Sequence, residues 1–119
     1  MNDNEHVFRA LNPKKMFESS DGTISPAAFK DKRGLSVEIG MGRSDDEVVN
    51  SMMIYLSGNI VKIDVRVCKD VDIEIFNDNA TNKYHRLLLD GCRLDKSEFC
   101  LTSKQAYYLS KNYEKIIHT

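Results

Sequence analysis

No stretch of this chain approaches the roughly 18 consecutive apolar residues that a membrane-spanning helix requires. The opening MNDNEHVFRA carries neither the basic segment nor the apolar run of a secretion signal. The expectation is a cytoplasmic protein with no membrane association. An excess of one charge is lacking too: 17 Lys and Arg stand against 18 Asp and Glu, a net charge of -1. Composition therefore supports neither nucleic-acid binding through a basic surface nor a disordered acidic tail. Cysteine is scarce: Cys68, Cys92 and Cys100 are an odd number without a CxxC pair, which argues against a disulfide framework or a cysteine zinc site and fits a reducing compartment. Repeats, low-complexity blocks and linkers are absent, and 119 residues fit one domain of about 100–150 residues, so a single domain over 1–119 is expected. The phosphate-loop and dinucleotide glycine patterns and the nucleophile elbow are missing as well. No cofactor or metal is implied. Asp70, Asp72 and Glu74 fall at period two, as on a solvated strand face, and lack the spacing and glycine of a calcium loop.

What the chain does contain is a dense stretch, DGTISPAAFKDKRGLSVE, over 21–38. Asp21-Gly22 reads as a tight reversal. Ser25 caps, and Pro26 opens, one helical turn that sets Phe29 into the core. A basic loop closed by Gly34 then feeds a strand, Leu35-Ser36-Val37-Glu38-Ile39, with Ser36 and Glu38 on one face. That face is either a solvated sheet surface or a polar floor that Arg9 joins. Upstream, Val7, Arg9 and Leu11 share one side of a first strand, and Asn12-Pro13 ends it. Arg9 either snorkels from an edge or lies buried, held by a carboxylate or awaiting an anion. Lys14–Phe17 reads as a short helical turn.

Downstream, Ser44 and Glu47 form a capping box for a helix over about 45–56, with Val48, Val49, Met52, Met53 and Leu56 as its apolar stripe and Gly58 as its stop. Val61, Ile63, Val65 and Val67 alternate with charged residues as a strand. Val71, Ile73 and Ile75 repeat the pattern after Cys68-Lys69-Asp70, which predicts a hairpin. The polar loop 77–82 delivers His85 into the apolar run Leu87-Leu88-Leu89. A second capping box, Thr102 to Gln105, predicts a helix over about 103–117 that buries Ala106, Leu109, Tyr113 and Ile116. Tyr107 and Tyr108 cannot both be core there, so one of them faces out. The fold class expected is α+β: a small, mostly antiparallel sheet packed by two main helices.

Arg9, the D-G-x-I-S-x-x-A-F run of 21–29, Leu35-Ser36-Val37 and the loop-to-strand His85 resemble the pattern of a set of small uncharacterised bacterial proteins over about residues 7–91. That resemblance implies that Arg9, Ser36 and His85 recur together. The chain departs from the pattern where Tyr84 and Arg86 replace small residues beside the histidine, and in the helix after Gly91.

Two function classes follow. A small binding or accessory module would act through a protein partner, such as an operon-encoded neutralising or defence-related one, with Tyr107, Tyr108 and Arg86 as contact residues. Alternatively, Arg9 as anion clamp, Ser36 as donor and His85 as proton donor or acceptor would converge on a phosphate-bearing ligand such as a nucleotide or RNA end. The second reading requires three residues separated by 27 and 49 positions to meet.

Overall fold

A computed structural model describes residues 5–12, 18–19, 21–95 and 99–119. Six strands form one antiparallel sheet in the order β4-β5-β2-β1-β3-β6. They are β1 His6–Leu11, β2 Leu35–Ile39, β3 Asn59–Asp64, β4 Ile73–Phe76, β5 His85–Asp90 and β6 Lys115–Ile117. Three helices accompany them: α1 Asp45–Met52, α2 Val65–Asp70 and α3 Ser103–Lys111. The α+β class expected from the sequence is the one observed.

The central strand β1 is apolar on both sides because both sides are covered. Val7 and Leu11 pack with Val37, Ile63, the 3-10 turn Pro26–Phe29 and the helix residues Cys68, Ala106 and Leu109. Phe8 and Ala10, pointing the other way as strand alternation requires, pack with Ile60 and with Val48 and Met52 of α1. Helices α2 and α3 thus lie on one face of the sheet and α1 on the other. The Asp21-Gly22 reversal forms as predicted, closed by the Ser19 amide donating to the Thr23 carbonyl at 2.9 Å. Ser25 caps the Pro26 turn, and both capping boxes form. The helical turn expected over Lys14–Phe17 lies outside the described residues.

Three element boundaries differ from the sequence reading. Helix α1 ends at Met52, and a further turn carries the chain to Leu56 through the Leu56 amide bonded to the Met52 carbonyl at 2.9 Å. Val65 and Val67 do not extend β3. The Asp64 carboxylate accepts the Arg66 amide at 2.8 Å and caps a helix in which Val65 and Cys68 are buried at helical spacing, so the predicted hairpin does not form. β4 instead crosses to the far edge and pairs with β5, Ile75 opposite Leu88. Finally, the last helix stops at Lys111, with Asn112 leaving helical conformation. The β-branched Ile116 and Ile117 then pair with Val61 and Ile60 on β3, where a free strand edge offers backbone partners that an extended helix cannot use. Lys115 consequently sits in a strand, bonded to Asp45 at 2.7 Å, instead of at a helix end.

Candidate functional site

β1 and β2 pair only at Val7↔Ile39 and Phe8↔Glu38. Beyond Phe8 the strands part, and the Arg9 side chain bridges them. Its Nε donates to the Ala28 carbonyl at 3.3 Å and its Nη1 to the Ser36 carbonyl at 3.1 Å. Burial pulls the Arg9 guanidinium below its ordinary pKa, and the charge of Asp31 acts the other way. Among the described residues no carboxylate makes an ion pair with it. Arg9 is partly buried on an interior strand, so it neither snorkels from a sheet edge nor is held by a carboxylate among the described residues.

Over the parted strands lies a cavity of about 330 Å³. Arg9, Ser36, Glu38, Met52, Tyr55 and His85 are among its lining residues. All three residues predicted as a site therefore border one space. They do not form a nucleophile pair: Ser36 is across from Leu87 and His85 across from Glu38, so the two are diagonal neighbours on one face, about 7–8 Å apart at the backbone. Ser36 is exposed and its hydroxyl has no protein partner among the described residues. The His85 Nδ1 lies 2.9 Å from Asp78 Oδ1.

The cavity floor is a polar cluster that the sequence reading left open at Glu38 and did not anticipate elsewhere. Glu38 is 1% exposed. Arg43 donates to its Oε1 at 3.0 Å, and Tyr55 Oη and Asn82 Nδ2 both donate to its Oε2, the latter at 3.1 Å. Arg43 is aimed inward by a tight turn in which Met41 and Gly42 are both left-handed, with φ of 50° and 83°. Its guanidinium also donates to the Ile39 carbonyl at 2.9 Å and the Gly40 carbonyl at 3.1 Å, and it stacks 3.5 Å from the Tyr84 ring centre. Partial burial, and then the bond to Glu38 and its charge, raise the Tyr55 phenol well above its ordinary pKa. Tyr55 thus remains a donor. The polar floor exists, but Arg43 completes it where Arg9 was the sequence candidate.

The residues expected to meet a partner lie elsewhere. Tyr107 and Tyr108 are on α3, across the sheet from the cavity. Tyr107 is 57% exposed with Lys111 5.6 Å from its ring centre, whereas Tyr108 donates to Asp70 Oδ2 at 3.2 Å. Arg86 is engaged locally, donating to the carbonyls of Lys83 and His85 at 2.8 and 2.7 Å. Asp70, Asp72 and Glu74 do not converge: Asp70 ends α2, Asp72 turns left-handed at φ 58°, and Glu74 bonds Arg93 at 2.9 Å.

Comparison with protein-family models, curated proteins and solved structures returned no match.

Proposed function

We propose that the protein binds a small phosphate-bearing molecule of the nucleotide class in the cavity between β1, β2 and the end of α1. The observation that carries this reading is that Arg9, Ser36 and His85, distant in sequence, border one space of the size ligand pockets have, about 300–1,000 Å³. The local charges support an anion. Glu38 is neutralised by Arg43, whereas no carboxylate pairs with Arg9 among the described residues, so Arg9 is the unpaired cation of the cavity lining. Its Nη2 donors have no protein acceptor among the described residues, and a guanidinium with free donors in a half-buried setting is completed by an oxyanion. Met52, Leu56 and the Tyr55 ring supply the apolar wall on which a base or similar ring would rest.

The test is thermal denaturation with nucleoside monophosphates, aromatic carboxylates and inorganic phosphate. A ligand at 100 times its dissociation constant adds about 2.7 kcal/mol to the folded state. The expected result is a rise in melting temperature with a nucleoside monophosphate that Arg9→Met abolishes. No rise with any member, or an equal rise in the variant, would reject this site.

A second reading is favoured by a separate observation. Ile54, Tyr55 and Leu56 are exposed in succession, Ile54 at 84% and the other two lining the cavity, and such runs suit a protein partner of the accessory or neutralising kind. A photo-crosslinker at position 54 that captures a discrete partner would support it; the same capture from position 107 alone would move the surface to α3.

A further inference from the structure

The ligand reading leaves one group unused. Asp78 does not border the cavity, yet its carboxylate is hydrogen-bonded to a histidine that does. Burial opposes ionisation of Asp78, but the hydrogen bond from His85 favours the carboxylate, and the carboxyl is held below its ordinary pKa. An ionised carboxylate can only accept. The shared proton therefore belongs to Nδ1, and a neutral imidazole protonated at Nδ1 carries its lone pair on Nε2. No group bonds Nε2 among the described residues. Glu38 stands directly across from His85 in the strand register, but its oxygens are taken by Arg43, Tyr55 and Asn82, so it does not compete for the ring.

The 77–82 loop is built to keep Asp78 in place. The Asn77 side chain accepts the Asn79 amide at 2.9 Å, with Asn79 left-handed at φ 55°. Asn82 closes the other end: its side chain accepts the Tyr84 amide at 3.0 Å, its carbonyl accepts the His85 amide at 3.0 Å, and its amide group reaches Glu38. Loop and cavity floor are thus joined by one side chain.

We infer that Asp78 is a positioning residue that locks His85 in its Nδ1–H tautomer and turns Nε2 toward the cavity as a hydrogen-bond acceptor, so that the site selects phosphate-bearing ligands which also carry a hydroxyl or N–H donor. The ligand half of this inference rests on the proposed function; the tautomer half does not. In the bound state the donor's hydrogen points at Nε2, the proton on Nδ1 stays with the Asp78 pair, and no bond is broken.

The test begins without ligand, by nitrogen-15 spectroscopy of the histidine rings at a pH where they are neutral, with His85→Gln assigning the signal. The expected result is a lone-pair type Nε2 and a proton-bearing Nδ1 at His85, reversed in Asp78→Ala to the Nε2–H form that an unconstrained histidine side chain prefers. A native His85 already in the Nε2–H form overturns the inference, as does a tautomer that Asp78→Ala leaves unchanged. Should Asp78→Ala fail to fold, the native spectrum still decides. The second arm compares an N3-methylated uridine monophosphate, whose base carries no N–H, with its analogue lacking the sugar hydroxyls. Asp78→Ala is expected to lose about tenfold in affinity for the first and to leave the second unchanged; equal losses overturn the selectivity. The expected tautomer with no binding of either compound would reject the ligand reading and retain the positioning role.

Discussion

Arg43→Met removes the counter-charge from the most deeply buried ionised cluster described in the protein. The Glu38 and Arg43 side chains are 2% and 10% exposed, so the pair is not a surface bridge worth about 0–1 kcal/mol. Methionine preserves most of the stem's bulk while removing the donors to Glu38, Ile39 and Gly40. What remains is a carboxylate held by Tyr55 and Asn82 but without a cation, and breaking a buried pair from one side costs about 3–5 kcal/mol. Against a total stability of about 5–15 kcal/mol for a domain, this is a large fraction. With a urea slope of about 1–3 kcal/mol per molar, the unfolding midpoint should fall by at least about 1 M. The double variant Glu38→Gln/Arg43→Met discriminates the cause, because glutamine keeps an acceptor for Tyr55 or Asn82 and removes the orphaned charge. It should be more stable than Arg43→Met alone. A loss under about 1 kcal/mol in the single variant, or a double variant that is worse by the sum of both changes, would refute the argument that an uncompensated charge is the source of the effect.

Other outcomes follow from the same geometry. Asp45 is held below its ordinary value of 3.8 by hydrogen bonds from Lys115 and Lys62. A depressed carboxylate contributes stability above its unfolded pKa and loses it as pH falls through the folded one. Acid titration of the unmodified protein should therefore show stability declining below about pH 4, a decline that Asp45→Asn makes shallower. Gly58 has φ of 94°, and a Cβ there would sit 2.7 Å from the Leu11 carbonyl oxygen. Gly58→Ala should cost about 1–3 kcal/mol, clearly more than Gly42→Ala, where a Cβ meets nothing within 4 Å; equal losses in chemical denaturation would contradict this. Burial pushes the Cys68 thiol up to about 12 while Cys92 is exposed, so alkylation at neutral pH should label Cys92 first and Cys68 only on unfolding.

Local chemistry was legible in the sequence and long-range pairing was not. Ser25-Pro26, Ser44 with Glu47 and Thr102 with Gln105 declared their turns and helix starts because each cap is made within a few residues. Val65 to Asp70 misled because its valines alternate at period two while Val65 and Cys68 also satisfy a helical spacing, and the Asp64 cap decided between them. The strand at 115–117 depends on the free edge of β3, more than fifty residues earlier. The same division holds for the site. Arg9, Ser36 and His85 stood out by residue type and position, whereas Arg43, Tyr55 and Asn82 join Glu38 through strand register and a turn whose direction no local motif states. Asp78 is one polar residue of the 77–82 loop in the sequence, and only its contact with His85 gives it a role.

We propose that the space above the parted strands receives a phosphate-bearing ligand. This is tested most directly by following backbone amide resonances while a nucleoside monophosphate is titrated into the protein. The account predicts shifts concentrated at Ala10, Asn12, Ser36, Tyr55 and His85, and their disappearance in Arg9→Met. Resonances that do not move, or shifts confined to the α3 surface around Tyr107, would contradict it.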